Sequence, residues 1–335
     1  MRRKPQIAIN GFGRIGRLFF RQAHKKFQIV AINDLGDLDV LAYLLKYDSV
    51  YHLFDFDLKR AVERGQIKYL QEKNPAALPW AELKIDIVVE ATGVFESFVD
   101  AQPHLRAGAK RVVISAPAKD QERGDAKTVL LGVNEQEFKH CVITANGSCT
   151  TNATHPLVAI MLETVGVKKA SINTIHGYTA TQALVDGTAG RSKDLRRGRA
   201  AAVNIVPSSS GATNSVIRAL PQLEGKFDGI ASRVPVITGS LIDFTFVAER
   251  NTSVEEINEI FRKAARDRRW RDILTIVEEP IVSSDIIGQP FGAIVDLTLT
   301  KVIDGDLVKV FSWYDNEWGY VTTLVKHVEK VAETM

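Results

Sequence analysis

The sequence has few of the features that mark secreted, membrane or nucleic-acid-binding proteins. It has only two cysteines in 335 residues, too few for a disulfide framework, and this fits a reducing compartment. No stretch approaches the about 18 consecutive apolar residues that cross a bilayer. The formal net charge of +3 is too small for the basic surface of a nucleic-acid-binding protein.

The N-terminal segment is basic but does not read as a secretory signal. Residues 1–6 lead directly into an apolar strand and a glycine-rich turn, where a signal peptide would have an apolar core and a cleavage site. We therefore expect a cytoplasmic protein with no membrane partner and no dedicated nucleic-acid site.

Basic residues are nevertheless concentrated at 191–199 and at 262–271. The second cluster follows Ser253 and Glu256, which have the spacing of a helix capping box. This spacing predicts that the second cluster is the solvated face and end of a helix.

The first half of the chain has the pattern of an α/β protein. Short apolar runs alternate with helical patterns, at residues 6–9, 29–32, 85–89, 111–115 and 142–145. This alternation predicts βαβ units and a Rossmann-like, doubly wound parallel sheet.

The pattern changes after about residue 150. Alternating runs at 170–174, 241–248, 293–300 and 307–313 predict a second, α+β domain on a mostly antiparallel or mixed sheet. We expect an NAD-binding domain at 1–148, with a C-terminal helix at 317–335 packing back on it, and a catalytic domain at 149–316.

A glycine motif follows the first strand and opens the first helix: Gly11-Phe12-Gly13-Arg14-Ile15-Gly16. Its glycines allow a tight turn, close approach of a pyrophosphate and close helix packing, so in this context it predicts a dinucleotide site rather than an ordinary glycine-rich turn. Asp34 follows the next strand, 18 residues after Gly16, where an acid binds a ribose 2′-hydroxyl. Its carboxylate would repel the extra phosphate of NADP, which favours NAD. We predict no metal site.

The two cysteines have different surroundings. Cys141 opens an apolar run and is predicted to be a buried core residue. Cys149 lies in a polar segment after the strand at 142–145, at the edge where open α/β sheets bind ligands. A catalytic thiol needs a helix N-terminus or an imidazolium to favour its anion. His176 ends a predicted strand, but in a chain with seven histidines this spacing alone leaves its role open.

Four segments resemble the phosphorylating glyceraldehyde-3-phosphate dehydrogenase family over nearly the whole chain. They are residues 9–17, residues 148–152 around Cys149, His176 with residues 179–182, and residues 312–317. The resemblance implies that Cys149 attacks the aldehyde, that NAD takes the hydride, and that inorganic phosphate cleaves the resulting thioester. His176 would stabilise the thiolate and act as acid and base, and the Cys149 N–H would help to stabilise the oxyanion.

The resemblance also implies two anion sites and an assembly. The substrate phosphate would be held by Thr179, Thr181 and Arg233, and inorganic phosphate by Ser148, Thr150, Arg196, Ser210 and Gly211. Asn316 would fix the nicotinamide carboxamide. The cluster at 191–199 resembles the loop that packs near a neighbouring subunit's cofactor in a homotetramer.

The sequence departs from the family pattern at several positions. Ala153 replaces a second cysteine and Ser210 a common threonine. Gly147 replaces a usual alanine, where we expect it to loosen the approach to Cys149. Thr188 stands where NAD-selective relatives often have proline, and Tyr51-His52 replaces a common His-Gly pair.

Three alternative functions remain at this point. Erythrose-4-phosphate dehydrogenase shares the thiol chemistry, but residues 179–182 and 207–211 keep the glyceraldehyde-phosphate pattern. An NADP-preferring enzyme is disfavoured by Asp34 and kept open by Thr188. A scaffold or nucleic-acid-binding protein without catalysis is disfavoured by the presence of both Cys149 and His176.

Overall fold

The computed structural model describes residues 3–188 and 194–335. The start of the basic cluster at 191–199, and Met1 and Arg2 of the N-terminal segment, lie outside the described residues. The chain divides into two compact units, Met1–Ser148 with Val321–Met335, and Cys149–Tyr320. No helix in the described ranges is both long and apolar enough to cross a membrane.

The first unit is built on a parallel sheet, as the alternating apolar runs predict. Its described strands are β1 (Gln6–Asn10), β2 (Gln28–Asn33), β3 (Lys68–Leu70), β4 (Ile87–Glu90), β5 (Arg111–Ile114), β6 (Ala126–Thr128) and β7 (Ile143–Ala145). They lie in the order β3-β2-β1-β4-β5-β7-β6, and each neighbouring pair is parallel.

The strand order places a topological switch point beside β1, whose neighbours are β2 and β4. Open α/β sheets bind ligands outside the carboxyl ends of the strands at such a point. The connecting helices are α1 (Arg14–Ala23), α2 (Leu38–Lys46), α3 (Leu58–Glu63) and α4 (Phe98–Arg106). One buried cluster of this unit includes Trp80 and Phe98, and Cys141 is also buried, as predicted.

The second unit contains a mixed sheet, which confirms the predicted α+β class. Its described strands are β8 (Lys169–Gly177), β9 (Val206–Ser209), β10 (Phe227–Val234), β11 (Ser240–Val247), β12 (Leu274–Val277), β13 (Ala293–Ile303) and β14 (Leu307–Tyr314). Their order is β12-β13-β14-β11-β8-β10-β9, with β8–β10 and β12–β13 parallel and the other pairs antiparallel. The helices are α5 (Cys149–Thr164), α6 (Ala212–Ala219) and α7 (Val254–Ala264).

The second basic cluster is the end of α7 and the turn after it, as its capping pattern predicts. The Ser253 hydroxyl accepts a hydrogen bond from the Glu256 N–H at 3.2 Å and caps the helix. Arg262 forms an ion pair with Glu278, and Arg269 forms one with Glu163. Acidic partners therefore neutralise part of this cluster.

Tyr51 and His52 acquire a structural explanation. His52 has a φ of 59°, in the left-handed region where glycine is free of the steric cost that a Cβ brings, about 1 to 2 kcal/mol. The Tyr51 ring lies under the Arg14 guanidinium, 5.3 Å from ring centre to Cζ, and Arg14 forms an ion pair with Asp48. His52 therefore occupies a strained backbone conformation directly after Tyr51, which forms a cation–π contact with Arg14.

The last helix, α8 (Trp318–Glu333), carries a buried histidine. His327 Nε2 lies 2.7 Å from the Thr144 hydroxyl, and Phe138 packs edge-on against the imidazole ring. Burial lowers the pKa of His327 to about 3, so the imidazole is neutral at pH 7.

We expect this histidine to make the first unit sensitive to acid. Between the unfolded pKa near 6.5 and the folded value, only the unfolded chain binds the proton, so stability present above pH 6.5 is lost as the pH falls. At pH 5 the loss is about 2 kcal/mol for this one group. Chemical denaturation at pH 7 and pH 5 should show a smaller acid-induced loss for His327→Asn than for the unmodified protein. An equal loss in both proteins would contradict the prediction.

Candidate active site

The glycine turn has the geometry that a dinucleotide requires. Gly11 has a φ of 93°, and a Cβ there would lie 2.5 Å from the Thr92 nitrogen. A Cβ at Gly16 would lie 2.0 Å from the Gly11 oxygen, so both glycines are needed for close backbone packing. A Cβ at Gly13 would meet no atom within 4 Å, which leaves open space in front of the α1 N-terminus. The turn therefore fits a pyrophosphate on helix N–H groups.

The other predicted cofactor residues support this turn. Phe12 is buried and packs edge-on against Phe20, with ring centres 5.9 Å apart. Ile15 is half-buried in the first turn of α1. The Arg14 side chain turns toward Asp48, so its contribution to an anion would come from its backbone N–H.

Asp34 lies beside the same turn. Its Oδ2 accepts the Phe12 N–H at 2.6 Å, and its Oδ1 accepts the Gly36 N–H at 2.8 Å. The Tyr69 hydroxyl donates to the Gly36 carbonyl at 2.5 Å and lies 3.1 Å from the Asp34 carbonyl, and burial raises the pKa of Tyr69 to about 12. A carboxylate has about four acceptor sites, so Asp34 retains capacity for ribose hydroxyls.

Cys149 and His176 form the central pair of the second unit. Cys149 is the first residue of α5, which therefore starts at the thiol and continues through Pro156. Its Sγ lies 3.3 Å from His176 Nε2, and His176 lies near the end of β8. His176 is buried and Cys149 is half-buried.

Burial disfavours a charge on either partner alone. It raises the pKa of the Cys149 thiol against the opposing effects of Arg233, the Thr150 hydroxyl and two backbone N–H groups. Burial, with the Arg233 charge, lowers the pKa of His176 to about 3. The resting imidazole is therefore neutral, and the helix N-terminus and Arg233 supply the stabilisation of a thiolate. Proton transfer from Sγ to Nε2 creates both charges together, and their attraction offsets part of the burial cost.

The strand register places Arg233 beside the imidazole. Arg233 on β10 is paired with His176 on the parallel strand β8. Its Nη1 lies 2.8 Å from His176 Nδ1 and donates to the Gly177 carbonyl at 3.2 Å. His176 Nδ1 also lies 2.6 Å from that carbonyl. The Gly177 carbonyl can only accept and is the nearer partner of Nδ1, so Nδ1 carries the proton, and the Arg233 hydrogen bond is the one to the Gly177 carbonyl rather than one to Nδ1. The Nε2 lone pair then faces the thiol, as a base requires.

Tyr314 was given no role by the sequence, although it lies in one of the segments that carry the resemblance. Its hydroxyl lies 3.0 Å from the Thr150 Oγ1 and 2.6 Å from the Thr174 Oγ1. Its ring packs edge-on against His176, with centres 5.8 Å apart. Tyr314 thus ties the start of α5 to the strand of the imidazole.

Asn316 is held in one orientation by its neighbours. Its Oδ1 accepts the Ser240 hydroxyl at 2.9 Å, the Gly239 N–H at 3.1 Å and the Thr238 hydroxyl at 3.3 Å. This arrangement fixes which side of the amide is oxygen. The Nδ2 amide group of Asn316 is therefore directed away from residues 238–240 and can act as a donor.

The predicted anion ligands fall into separate groups. Thr179 and Thr181 lie together, with hydroxyl oxygens 2.9 Å apart, and Arg197 Nη1 donates to Thr181 at 3.2 Å. Arg197 also donates to the Ser208 hydroxyl at 2.8 Å through Nη2. Ser210 and Gly211 lie at the N-terminus of α6, and Ser148 is half-buried directly before Cys149.

The structure directs Arg196 away from these hydroxyls. Its Nε donates to Asp194 at 3.0 Å, and its side chain is 60% exposed. The arginine that joins the Thr181 and Ser208 hydroxyls is Arg197, one residue later. In the 3-10 turn Leu195–Gly198 consecutive side chains point in different directions, so only one of two adjacent arginines faces the group.

Gly147 also has a simpler explanation than a loosened site. Its φ is 71°, a left-handed conformation that glycine adopts without the cost of a Cβ. Thr188 is exposed at the edge of the described range, and its geometry explains nothing about cofactor choice.

Comparisons with known proteins agree on one family. A profile described as the NAD-binding domain of glyceraldehyde 3-phosphate dehydrogenase matches residues 5–98, and one described as its C-terminal domain matches residues 148–316. The chain is 45% identical over 331 residues to a glyceraldehyde-3-phosphate dehydrogenase of Streptomyces coelicolor, covering 96% of each protein. It is 46% identical over 345 residues to one of Mycobacterium tuberculosis, covering 98% of this chain and 99% of the relative.

Proposed function

The chain belongs to the glyceraldehyde-3-phosphate dehydrogenase family, and from this premise we propose that it converts glyceraldehyde 3-phosphate to 1,3-bisphosphoglycerate with NAD and inorganic phosphate. This is a step of glycolysis and gluconeogenesis. The observation that carries the proposal is the 3.3 Å contact between Cys149 Sγ and His176 Nε2 at the start of α5. An activated thiol beside a neutral base is the requirement of thioester chemistry.

In the first step the Cys149 proton moves to His176 Nε2 and the sulfur attacks the aldehyde carbon. The positive N-terminus of α5 and Arg233 favour the thiolate, while the Cys149 N–H and the protonated imidazole stabilise the oxygen that becomes negative. The protonated His176 then gives its proton to that oxygen, so the product is a neutral hemithioacetal on Cys149 beside a neutral imidazole.

In the second step His176 accepts the hydroxyl proton of the hemithioacetal while its carbon loses a hydride, which leaves a thioester. NAD, when bound, accepts that hydride. Asp34, the glycine turn and Asn316 are the residues that we propose hold the cofactor. A phosphate oxygen then attacks the thioester carbon, the C–S bond breaks, and Cys149 leaves as the thiolate.

The anion ligands that we propose are hydroxyl, guanidinium and backbone N–H groups of the second unit, together with Ser148, which directly precedes it. We assign the substrate phosphate to Thr179, Thr181 and Arg233, and inorganic phosphate to Ser148, Thr150, Ser210 and Gly211. Arg197 takes the place of Arg196, because it already contacts the hydroxyls of Thr181 and Ser208.

Replacing each arginine in turn should distinguish the role of Arg197 from that of Arg196. Loss of one charge-assisted contact corresponds to about 1.5 to 3 kcal/mol, so Arg197→Ala should raise the KM for glyceraldehyde 3-phosphate or for phosphate by about 10- to 100-fold. Arg196→Ala is the matched control and should change both KM values by less than about threefold, since its exposed ion pair contributes little. Steady-state kinetics with each substrate varied would decide, and a larger effect of Arg196→Ala would reverse the assignment.

The assembly that we propose is a cytoplasmic homotetramer. Five large apolar side chains lie within the basic cluster at 191–199 or near it in the sequence, and they are 71% to 87% exposed: Leu184, Val185, Leu195, Val203 and Ile205. Such a concentration of exposed apolar groups is typical of a subunit contact.

Initial rates test the proposed function directly. Glyceraldehyde 3-phosphate and erythrose 4-phosphate should be compared with NAD and with NADP, each in the presence of phosphate. We expect the highest kcat/KM with glyceraldehyde 3-phosphate and NAD. Faster turnover of erythrose 4-phosphate, or a preference for NADP despite Asp34, would replace the proposal with the corresponding alternative.

A further inference from the structure

A buried carboxylate lies below the dinucleotide turn, and the reaction does not use it. Glu90 is the last residue of β4 and is only 2% exposed. Its Oε2 accepts the Asn10 amide and the His104 Nε2–H at 3.1 Å, and its Oε1 accepts the Thr92 N–H at 2.8 Å and the Thr92 hydroxyl. Burial of a carboxylate is costly unless such donors saturate it.

The protonation of the neighbouring histidine follows from its other contact. The Trp80 Nε1–H can only donate, and it points at His104 Nδ1 from 3.0 Å. Nδ1 is therefore the acceptor, and Nε2 carries the proton that His104 donates to Glu90. The imidazole is neutral, so Glu90 is held by hydrogen bonds rather than by a second buried charge.

The same hydrogen bonds connect the carboxyl ends of three strands. Asn33 at the end of β2 donates to the Asn10 Oδ1 at 2.7 Å, and Asn10 at the end of β1 donates to Glu90 at the end of β4. Each of these residues directly precedes a turn of the dinucleotide site. Gly11 follows Asn10, Asp34 follows Asn33, and Thr92 lies two residues after Glu90.

We propose that Glu90 is a positioning residue for NAD, because it fixes the Thr92 turn against the glycine turn. The two turns touch so closely that a Cβ on Gly11 would lie 2.5 Å from the Thr92 nitrogen. Both Thr92 donors end on Glu90 Oε1, and the Thr92 hydroxyl in turn accepts the Val94 N–H at 3.1 Å. A shift of Thr92 would therefore move the backbone that borders the pyrophosphate position. The inference rests on the proposed NAD dependence.

Glu90→Gln in the full-length protein is the direct test. Glutamine has the same length, but an NH2 group replaces one of the two carboxylate oxygens. In either orientation of the amide this NH2 group would face two donors, either both donors of Thr92 or those of Asn10 and His104. We expect the dissociation constant for NAD, measured by titration calorimetry, to rise by about tenfold or more. At saturating NAD, kcat should stay within about threefold of the unmodified enzyme, since Glu90 belongs to the first unit and the Cys149–His176 pair to the second.

Trp80→Phe is the matched control for lost stability. It removes the donor to His104 Nδ1 at the far end of the same network, and it should lower the melting temperature while the NAD dissociation constant changes by less than about twofold. If Glu90→Gln does not fold, Thr92→Val removes one donor to Glu90 and should weaken NAD binding by about threefold or more.

Two results would overturn the inference. One is an unchanged NAD dissociation constant in Glu90→Gln, or in Thr92→Val if that variant has to be used. The other is an equal weakening by Trp80→Phe, which would reduce Glu90 to a stabilising residue. An unmodified protein that does not bind NAD would overturn the proposed function together with this inference.

Discussion

Cys149→Ser is expected to reduce dehydrogenase turnover by at least about 10⁴-fold while the dissociation constant for NAD stays unchanged. The serine hydroxyl has a far higher pKa than a thiol, so the neutral imidazole and the helix N-terminus no longer suffice to create the nucleophile. The glycine turn and Asp34 belong to the other unit of the chain, so cofactor binding should survive. Turnover and NAD titration on the same preparation measure the two effects.

Cys141→Ala is the control for the thiol replacement. Cys141 is 1% exposed, and burial raises the pKa of its thiol to about 11, so it is an inert core residue. This variant should retain turnover and should still be inactivated by iodoacetamide. Any residual turnover of Cys149→Ser should not change on treatment with iodoacetamide. Substantial turnover by Cys149→Ser would rule out the thioester route.

His176→Asn is expected to lower kcat by about 10²- to 10⁴-fold, the usual contribution of a positioned acid and base. Asparagine removes the Nε2 atom that lies 3.3 Å from the thiol and leaves Cys149 without a proton acceptor. We expect the rate of alkylation of Cys149 at pH 7 to fall as well, because less thiolate forms. Stopped-flow hydride transfer and iodoacetamide kinetics provide independent measurements.

His155→Asn is the matched control for the imidazole. His155 lies in the same unit and is as buried as His176, but its Nδ1 contacts the Thr151 carbonyl at 3.1 Å within α5. Its replacement should cost stability and leave hydride transfer within about threefold of the unmodified enzyme. Equal losses in both variants would show that His176 contributes structure rather than proton transfer.

The sequence predicts those parts of the fold that depend on local patterns. The apolar runs that predict β1, β2, β4, β5 and β7 are buried on both faces, so their composition alone distinguishes them. β3 and β6 are three-residue strands that each contain a lysine, and β10 contains Asp228, Ser232 and Arg233. These strands are defined by their partners in the sheet, and the sequence pattern does not indicate them.

The same distinction applies to the site. The glycine motif is predictable because the absence of a Cβ at Gly11 and Gly16 is a local property of the turn. The choice between Arg196 and Arg197 depends on which side chain leaves a short turn toward Thr181, and residue type carries no information about it. Glu90 and Tyr314 were missed because each has a partner that lies far away in the sequence. Asn10 is 80 residues from Glu90, and Thr150 is 164 residues from Tyr314.

The first turn of α5 has a consequence for oxidative damage. Ala153 lies one helical turn beyond Cys149, where a second cysteine would be placed to capture an oxidised sulfur. A sulfenic acid formed on Cys149 by peroxide therefore has no thiol at that position of the helix. Its rescue depends on an external thiol such as glutathione, and without one, further oxidation to the sulfinic acid is irreversible.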